Sequence, residues 1–354
     1  MIKNLQINNY KSINQIDLNC SRINVLIGEP NSGKSNILEA LDLSYLSSIF
    51  ILNDKIDKLN EKNDKERIEK IDIKGFLRVD KVEKLFHLGN VNLPISIIYP
   101  GVGLSTETHL NLNNSGDEDV FQWSNANNNF TEFDNDFIPK QGTQFFNSPI
   151  KPYRFRDNIH FHDTGNIATL TPIYGNNLLK VIQNNSGFKE TIEHLTADYG
   201  FEINIDTERD ELFIQLRINK GLVYSVPYKA IADTFKRLLF HIAAIRYSNG
   251  SIITLDEPDA HSFPKYVSFL ADEIIETANK QFFIATHSPY LLNNLIENTP
   301  AGDLAVFVCG YDKTKSETTI KKLSSEDLSE LIGYGVDIFF NINRYLDDRI
   351  EYSS

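Results

Sequence analysis

The most specific chemical pattern in the chain is the run of residues Gly28-Glu29-Pro30-Asn31-Ser32-Gly33-Lys34-Ser35. This run follows an apolar segment, 23–27, that is typical of a strand, and it precedes a segment typical of a helix. A glycine-rich turn in that place lets backbone N–H groups converge on a phosphate, and the helix N-terminus adds positive charge. Lys34 can reach the β- and γ-oxygens of a nucleotide, and the Ser35 hydroxyl can bind Mg²⁺. The motif therefore predicts a site for ATP formed by residues 28–35, to which we add Asn36.

A second pattern is a short apolar segment, 252–255, that ends in Asp256, Glu257 and Pro258. A buried parallel strand delivers the residues at its C-terminal end to the ligand-binding edge of a sheet. There Asp256 is expected to hold Mg²⁺ through water, and Glu257 to polarise the attacking water as a general base. Taken alone, the three residues are more often a turn that ends a strand. The preceding strand and the phosphate loop favour a catalytic site.

A third apolar segment, 281–285, leads through Thr286 to His287. A single histidine in a sequence is usually structural. This one ends the next predicted strand, where the γ-phosphate of a bound ATP is expected. We therefore predict that His287 belongs to the catalytic site with Glu257.

The elements that must position these residues fall into two halves. The N-terminal half contains strands at 3–9, 15–19 and 23–27 and a helix at 33–49. Further elements are predicted after residue 173: helices at 177–184 and 188–198, a hairpin at 201–206 and 212–219, a long helix from Asp233, a closing strand pair within 304–323, and a short helix at 327–332.

The region between the halves is harder to interpret. The charged run 53–70 predicts a solvated loop or an exposed helix, and an arm that docks a partner is the alternative. Residues 106–147 are rich in Asn and Asp around the only tryptophan, Trp123. That composition predicts an insertion loop unable to build a core, with a recognition loop as the alternative.

Composition limits the class of protein. The chain has 354 residues, 41% of them hydrophobic, which excludes collagen-like and wholly disordered classes. Its net charge of −13 opposes a general nucleic-acid coat, although a local basic cleft or a protein partner remains possible. Cys20 and Cys309 lie far apart, and no stretch reaches the ~18 apolar residues of a membrane span. We expect a cytoplasmic protein without a membrane partner.

The three patterns, with the N-terminal phrase at 7–12, resemble the ABC-type ATPase heads of the SMC/RecF/OLD group. The resemblance extends through residues 256–261 and 286–292, and by motif it covers 1–50 and 170–300. It implies an α/β P-loop NTPase with a mixed central sheet, an N-terminal antiparallel β-subdomain and an α-helical signature subdomain. The resemblance implies a single split head over 1–354. Its first part is an N-lobe with the phosphate loop at 1–50, followed by an insertion or arm at 51–172 that contains the Asn-rich loop 106–147. A signature subdomain follows at 173–250, and the acidic strand, His287 and the closing strands lie at 251–354.

The same resemblance implies a homodimer with two ATP molecules between the heads, each completed by a signature segment of the opposite chain. That segment corresponds to 231–239, and the residues implied to contact the partner are Ala232, Asp233, Thr234, Lys236, Arg237 and, in a neighbouring loop, Asp259. The alternative interpretation of Lys236 and Arg237 is that they are helix residues exposed to solvent.

Two further roles come from the resemblance. His287 is implied to sense the γ-phosphate of ATP. Lys11 is implied to lie near the nucleotide, with solvent exposure as the alternative.

The signature segment departs from the family pattern, which has serine where this chain has Ala232 and glycine where it has Thr234. Without the serine, one charge-assisted hydrogen bond worth about 1.5–3 kcal/mol is lost unless Thr234 replaces it. Slow hydrolysis with ATP as a switch is the expected result. We could not place the family's metal-linked glutamine loop.

The functional prediction is an ATP-hydrolysing switch that controls a separate effector, a nuclease or a toxin, in bacterial anti-phage defence. The interval 50–172 lacks the heptads of a long coiled coil, and the 54 residues after position 300 are too few for a Toprim nuclease domain. The alternative is a RecF-like DNA-repair ATPase, which the acidic composition disfavours. An ATPase subunit of a membrane transporter is the third possibility, and the degenerate signature argues against it.

Overall fold

A computed structural model describes the chain at residues 1–61, 70–100, 107–113, 119–125, 130–142, 148–157, 159, 161, 167–196, 201–206, 211–219, 222–334 and 338–346. The elements of the two predicted halves interleave in one central sheet, which joins strands from near both ends of the chain. The split arrangement follows from this pairing.

The central sheet has six strands in the order β16-β15-β3-β14-β13-β9. Five strands run parallel, and β16 pairs with β15 in the antiparallel sense, which confirms the mixed sheet. The strands are β3 (Ile23–Gly28), β9 (Ile150–Tyr153), β13 (Ile252–Asp256), β14 (Gln281–Ala285), β15 (Leu304–Asp312) and β16 (Glu317–Lys322). Side chains of β3, β9 and β14 are buried along their whole length, as expected for strands covered on both faces.

A second, antiparallel sheet has seven strands in the order β2-β1-β4-β5-β6-β7-β8. They are β1 (Asn4–Tyr10), β2 (Ile13–Asn19), β4 (Ile95–Ile98), β5 (Glu107–Asn113), β6 (Val120–Asn125), β7 (Phe130–Asp134) and β8 (Pro139–Gly142). The strands β1 and β2 confirm the antiparallel N-terminal β-subdomain. The sheet continues well beyond it into the middle of the chain.

The prediction of an insertion loop without a core is wrong for the described part of 106–147. The strands β5 to β8 extend the antiparallel sheet, and Leu110, Phe121, Trp123 and Phe133 are fully or almost fully buried. The physical reason is alternation: apolar residues occupy every second position, and the polar residues between them face outward. Composition alone hides this period of two. Residues 114–118, 126–129 and 143–147 lie outside the described part.

Replacing Trp123 by alanine should reduce the free energy of unfolding by about 3–5 kcal/mol, because the cavity left in this core cannot be filled. The neighbouring Gln122 lies on the opposite face, where its amide donates to the Glu132 carboxylate over 3.0 Å. Its replacement by alanine should cost less than about 1 kcal/mol. Urea unfolding of both variants checks this. Equal losses would contradict the buried position of Trp123.

The predicted helix at 33–49 is present but broken. It consists of α1 (Lys34–Asp42), a 3₁₀ turn at Leu43–Tyr45, and the start of α2 (Leu46–Asn60). The helix α2 continues into the charged run, so the predicted helix is present over residues 53–60, where Asp54 and Lys58 are exposed and Ile56 is buried. Residues 62–69 of that run lie outside the described residues.

The remaining elements complete the head. The helices are α3 (Ile73–Phe76), α4 (Leu178–Asn184), α5 (Ser186–Thr196), α6 (Asp233–Tyr247), α7 (Pro264–Glu276), α8 (Pro289–Asn298), α9 (Ser325–Tyr334) and α10 (Ile342–Leu346). A small sheet, β10 (Phe201–Asp206), β11 (Glu211–Asn219) and β12 (Leu222–Pro227), adds a third strand to the predicted hairpin. The region 173–250 therefore contains helices and a three-stranded sheet, and the expected closing strands and the helix after them are present.

Two hydrophobic cores lie on opposite faces of the central sheet. Along β3, Val25 and Ile27 pack into the core shared with α6, α7 and α8, while Leu26 packs into the core shared with α1 and the antiparallel sheet. Alternate side chains of one strand thus hold both layers. The loops at the carboxyl edge of the sheet are fixed from both sides.

Candidate nucleotide site

The three polar patterns of the sequence meet at the carboxyl edge of the central sheet. The strand β14 lies between β3 and β13, and Ala285 on β14 pairs with Leu26 of β3 and with Asp256 of β13. The residues that follow each strand therefore face one another. The structure brings together the phosphate loop, Asp256, Glu257 and His287.

The phosphate loop has a backbone that requires glycine at one position. Gly33 has φ of 95° and precedes α1, and a Cβ placed on it would lie 2.0 Å from Thr318 Oγ1. Thr318 in turn bonds to Ser12 Oγ over 2.6 Å, and the Asn36 amide donates to the same Ser12 oxygen over 2.7 Å. The loop is thus packed tightly against β16 and the β1–β2 turn, with the N–H groups of α1 at its centre.

Lys34 extends back across the loop. Its Nζ donates to the carbonyl oxygens of Gly28, over 2.9 Å, and of Glu29, over 2.8 Å. Burial lowers the pKa of Lys34, and the nearby Cys309, Glu257 and Asp256 oppose that shift. The ammonium group therefore lies at the mouth of the loop, where β- and γ-phosphate oxygens would replace the carbonyls as acceptors.

Ser35 and Asp256 form an oxygen pair beside Lys34. The Ser35 hydroxyl donates to Asp256 Oδ1 over 3.2 Å, although the two residues are far apart in the chain. A hydroxyl and a carboxylate are hard oxygen ligands of the kind that Mg²⁺ takes together with waters and phosphate oxygens. The two residues therefore fit a magnesium ion, which when bound neutralises charge on the phosphates of the nucleotide.

Glu257 and His287 form a second pair next to the phosphate loop. Glu257 Oε1 lies 3.6 Å from His287 Nε2, and both side chains are partly exposed, at 52% and 37%. Glu257 has a left-handed φ of 50°, and its N–H donates to the carbonyl of Ala285 over 2.9 Å. This conformation turns the carboxylate away from the strand axis and toward the cavity. A non-glycine residue in that region is uncommon and is concentrated at functional sites.

The surroundings of the His287 imidazole favour its neutral form. Burial lowers its pKa, and the Lys34 cation lowers it further, whereas Glu257 and Asp256 act in the opposite direction. A neutral imidazole can donate one hydrogen bond to a phosphate oxygen and accept another.

One open cavity of about 710 Å³ joins the phosphate loop to Glu257 and His287. It is lined by most of the phosphate loop and by residues from four other segments: Lys11, Ser12, Pro30, Asn31, Ser32, Gly33, Lys34, Ser35, Asn36, Arg78, Val79, Lys84, Glu257 and His287. The lining contains four cations and one carboxylate among its charged groups, which suits a polyanionic ligand. No glutamine occurs in this lining, as far as the described residues extend.

A family model described as "AAA domain, putative AbiEii toxin, Type IV TA system" matches residues 23–293. The match spans more than half of the chain and includes the phosphate loop, Asp256 and His287. The chain belongs to this AAA-domain family. No curated protein matches it.

Heads of SMC proteins are among the solved structures similar to this AAA domain. An SmcHead bound to the C-winged helix domain of ScpA is 15% identical, with a TM-score of 0.51, over 92% of this chain and 98% of that chain. An SMC head domain from Thermotoga maritima is 14% identical, with a TM-score of 0.44, over 91% of this chain and 99% of that chain. Identities this low show the fold alone. The P-loop NTPase fold is confirmed.

The implied signature segment lies at the start of α6 in the AAA domain. Ala232 is exposed just before the helix, Asp233 opens it, and Arg237 donates to Asp233 over 2.8 Å. The Thr234 hydroxyl donates to the carbonyl of His261 over 2.5 Å, so it is used within the chain. These positions are compatible with a surface role for 232–234, which stays a prediction.

Lys236 requires a correction. Its side chain is only 5% exposed and is paired with Asp157, and it lies over the ring of Tyr228. It is not a solvated helix residue, and its contact with a partner subunit stays a prediction. No local pattern indicates the pair with Asp157, because the pair joins distant segments of the chain.

Asp259 is also turned inward. It is 9% exposed and accepts a hydrogen bond from Thr286 Oγ1 over 2.7 Å. Burial raises its pKa to about 6, against the effect of that hydrogen bond. Asp259 therefore ties the loop after β13 to the residue that precedes His287. A contact of Asp259 across a dimer stays a prediction.

A buried network below the site joins α1 to β13. Arg154 follows β9 and pairs with Asp42, and it also donates to the carbonyl of Thr254 over 3.4 Å. The Thr254 hydroxyl donates to the other Asp42 oxygen over 2.6 Å. Burial raises the pKa of Asp42 to about 6, while Arg154 and Thr254 oppose the shift. Because α1 begins with the phosphate loop and β13 ends at Asp256, the network fixes the distance between them.

Sequence reasoning missed Arg78 and Glu39. Arg78 lines the cavity, is paired with Glu39 of α1, and approaches Asp256 Oδ2 to 3.4 Å. Lys11 is paired with the same Glu39 and is only 13% exposed, so its solvent-exposed alternative is wrong. No local pattern marks Arg78, which comes from the region between the two predicted halves. Glu39 could have been noticed, since it lies four residues after Ser35 on the same helix face.

Proposed function

We propose that this AAA domain binds and hydrolyses ATP as a switch, that two copies close around two ATP molecules, and that the closed dimer controls a separate effector. One observation carries the proposal. The Ser35–Asp256 pair and the Glu257–His287 pair flank the same phosphate loop, at 3.2 and 3.6 Å within each pair. A metal-binding pair and a general-base pair at one phosphate site are parts that hydrolysis of a nucleoside triphosphate needs.

In the proposed reaction the chain positions and polarises its substrates. The backbone N–H groups of the loop and Lys34 hold the β- and γ-phosphates of ATP. Ser35 and Asp256 would hold Mg²⁺, which stabilises the charge on the phosphates. Glu257 orients a water molecule and takes its proton as the water attacks the γ-phosphorus and the bond to the β-phosphate oxygen breaks. Neutral His287 donates to a γ-phosphate oxygen and detects whether that group is present.

The dimer is proposed from the open cavity and from the position of 232–234. The surface at the start of α6 exposes Ala232, and no hydroxyl of this segment is free because Thr234 is bonded to His261. A partner subunit would thus offer helix N–H groups but no serine hydroxyl to the γ-phosphate. Slow turnover follows, and the ATP-bound state lasts long enough to act as a signal.

The effector is proposed to be a nuclease or a toxin in bacterial anti-phage defence. Support comes from the family description, which names a putative AbiEii toxin and a Type IV TA system. Within the described residues, no group of three or more His, Cys, Asp or Glu side chains could hold a metal ion, and no helix is long and apolar enough to cross a membrane. A nuclease or toxin gene beside the gene for this chain would support a separate effector.

The dimer is tested by the dependence of ATPase activity on protein concentration. Because each site is completed by a second copy, the activity per molecule should rise with protein concentration and then level off. Phosphate release measured from nanomolar to micromolar protein checks this. A constant activity per molecule over the whole range would contradict the composite site.

A negative charge introduced at the proposed contact provides a second test. Ala232→Glu would direct a carboxylate at the partner's γ-phosphate, so it should remove most of the activity while each subunit still binds ATP. Ala301→Glu is the matched control, because Ala301 is also exposed but follows α8. Equal ATPase activity of the two variants would show that residues 232–234 do not complete the nucleotide site of the partner subunit.

A further inference from the structure

Glu39 is a buried carboxylate that pairs with two cations of the cavity lining, Lys11 and Arg78. Its side chain is 1% exposed, it does not line the cavity, and both of its carboxylate oxygens are used. Oε2 accepts from Lys11 and, over 3.4 Å, from the Tyr10 hydroxyl, and Oε1 accepts from Arg78. A buried carboxylate is stable only with such partners. Two of the four cations that line the cavity, Lys11 and Arg78, are therefore joined through one buried group.

The backbone shows that these cations are held in fixed places. Lys11 and Arg78 have left-handed φ values of 47° and 49°, which residues other than glycine rarely adopt. The N–H of Lys11 donates to the Leu85 carbonyl over 2.7 Å, and its ammonium donates to the Leu77 carbonyl over 2.7 Å. Unfavourable backbone conformations persist where the surroundings impose them. Two such residues paired with one buried carboxylate indicate that the surrounding structure fixes the positions of both cations.

Arg78 connects this arrangement to the proposed metal-binding carboxylate. Its Nη2 lies 3.4 Å from Asp256 Oδ2, while its Nε is bonded to Glu39. Asp256 Oδ1 accepts from Ser35 on the other side. Arg78 is thus shared between two carboxylates, and Glu39 has the closer contact. Without the Glu39 charge, the guanidinium would pair fully with Asp256 and compete with a cation there.

We propose that Glu39 is a positioning residue of the nucleotide site, which sets Lys11 and Arg78 at the phosphates and keeps Arg78 from occupying the Mg²⁺ position at Asp256. The proposal rests on the proposed function, because it assumes that the cavity binds ATP with Mg²⁺. It assigns a role to a residue that touches neither the nucleotide nor the metal.

Binding of ATP labelled with a fluorophore on its ribose, titrated with Mg²⁺, tests the proposal without measuring turnover. In Glu39→Gln, the Mg²⁺ concentration for half-maximal binding should rise by about tenfold, because Arg78 then competes at Asp256. Adding Arg78→Gln should return the Mg²⁺ requirement to within about twofold of the parent, while affinity for the nucleotide stays low. A merely structural role would not be reversed by a second substitution.

Glu273→Gln is the matched control. Glu273 is also a nearly buried carboxylate, 7% exposed, and bonds to Arg246 away from the cavity. Its replacement should leave the Mg²⁺ requirement unchanged. If Glu39→Gln does not fold, Glu39→Asp is used, since the shorter side chain cannot reach both cations and should shift the requirement in the same direction.

The outcomes separate this proposal from the proposed function. A parent protein that does not bind the labelled ATP overturns the proposed function. A parent that binds it, with a Mg²⁺ requirement unchanged in the Glu39 variant, overturns the role of Glu39 alone. The same holds if the double variant is as impaired in Mg²⁺ response as Glu39→Gln, or if Glu273→Gln shows an equal shift.

Discussion

Lys34→Ala is expected to weaken ATP binding by about 100-fold, because it removes the one ammonium group that lies within the phosphate loop. In the structure this group donates to the Gly28 and Glu29 carbonyls at the mouth of the loop. Phosphate oxygens are stronger acceptors than carbonyls. The substitution therefore destabilises the ATP-bound protein more than the free protein, and the affinity for ATP falls. Isothermal titration with ATP and Mg²⁺ measures the change.

Lys58→Ala provides the control for this result. Lys58 lies on α2, is 68% exposed, and pairs only with the nearby Asp54 among the ion pairs of the described residues. Its loss should leave the affinity for ATP within about twofold, since an exposed pair of this kind is worth less than about 1 kcal/mol. Binding by Lys34→Ala within fivefold of the parent would show that the nucleotide does not occupy this loop.

Glu257→Gln is expected to reduce the rate of ATP hydrolysis by about 10³-fold while leaving ATP binding nearly unchanged. Glutamine has the same shape as glutamate but cannot accept the proton of the attacking water. The exposed carboxylate of Glu257 faces the cavity beside His287 and does not hold the loop together, so the fold should be unaffected. Single-turnover measurement of phosphate release separates the chemical step from binding.

The matched control is Glu297→Gln on α8, where the carboxylate is exposed and lies outside the cavity lining. Its hydrolysis rate should equal that of the parent protein. If Glu257→Gln hydrolyses ATP at more than a tenth of the parent rate, another group must activate the water, and the assignment of the general base is wrong.

Five of the six strands of the central sheet could be predicted from the sequence because they contain short apolar runs. The sixth strand, β9, lies in the region 51–172 predicted as an insertion. In β3, β13 and β14, polar residues that follow the run mark the site. Glycine and lysine at fixed spacing identified the phosphate loop at 28–35 for the same local reason. Signals of this kind need no knowledge of distant contacts.

The antiparallel extension and the cation cluster could not be predicted in the same way. In β5 and β6 the polar residues between Leu110 and Trp123 obscured the alternation of buried and exposed positions. The Asn- and Asp-rich composition therefore led to the prediction of a loop. Arg78 and Glu39 are 39 positions apart, and Lys236 and Asp157 are 79 apart. Each of these contacts depends on the fold as a whole.

The mass of the Glu257→Gln variant in solution, measured by light scattering with and without ATP and Mg²⁺, tests the central claim most directly. If ATP closes two heads around the sites built from 28–36 and 256–257, the mass should double when nucleotide and Mg²⁺ are added. The same variant carrying Lys34→Ala should remain a monomer. A Glu257→Gln protein that is saturated with ATP and Mg²⁺ and still has the mass of a single chain would contradict the ATP-dependent dimer.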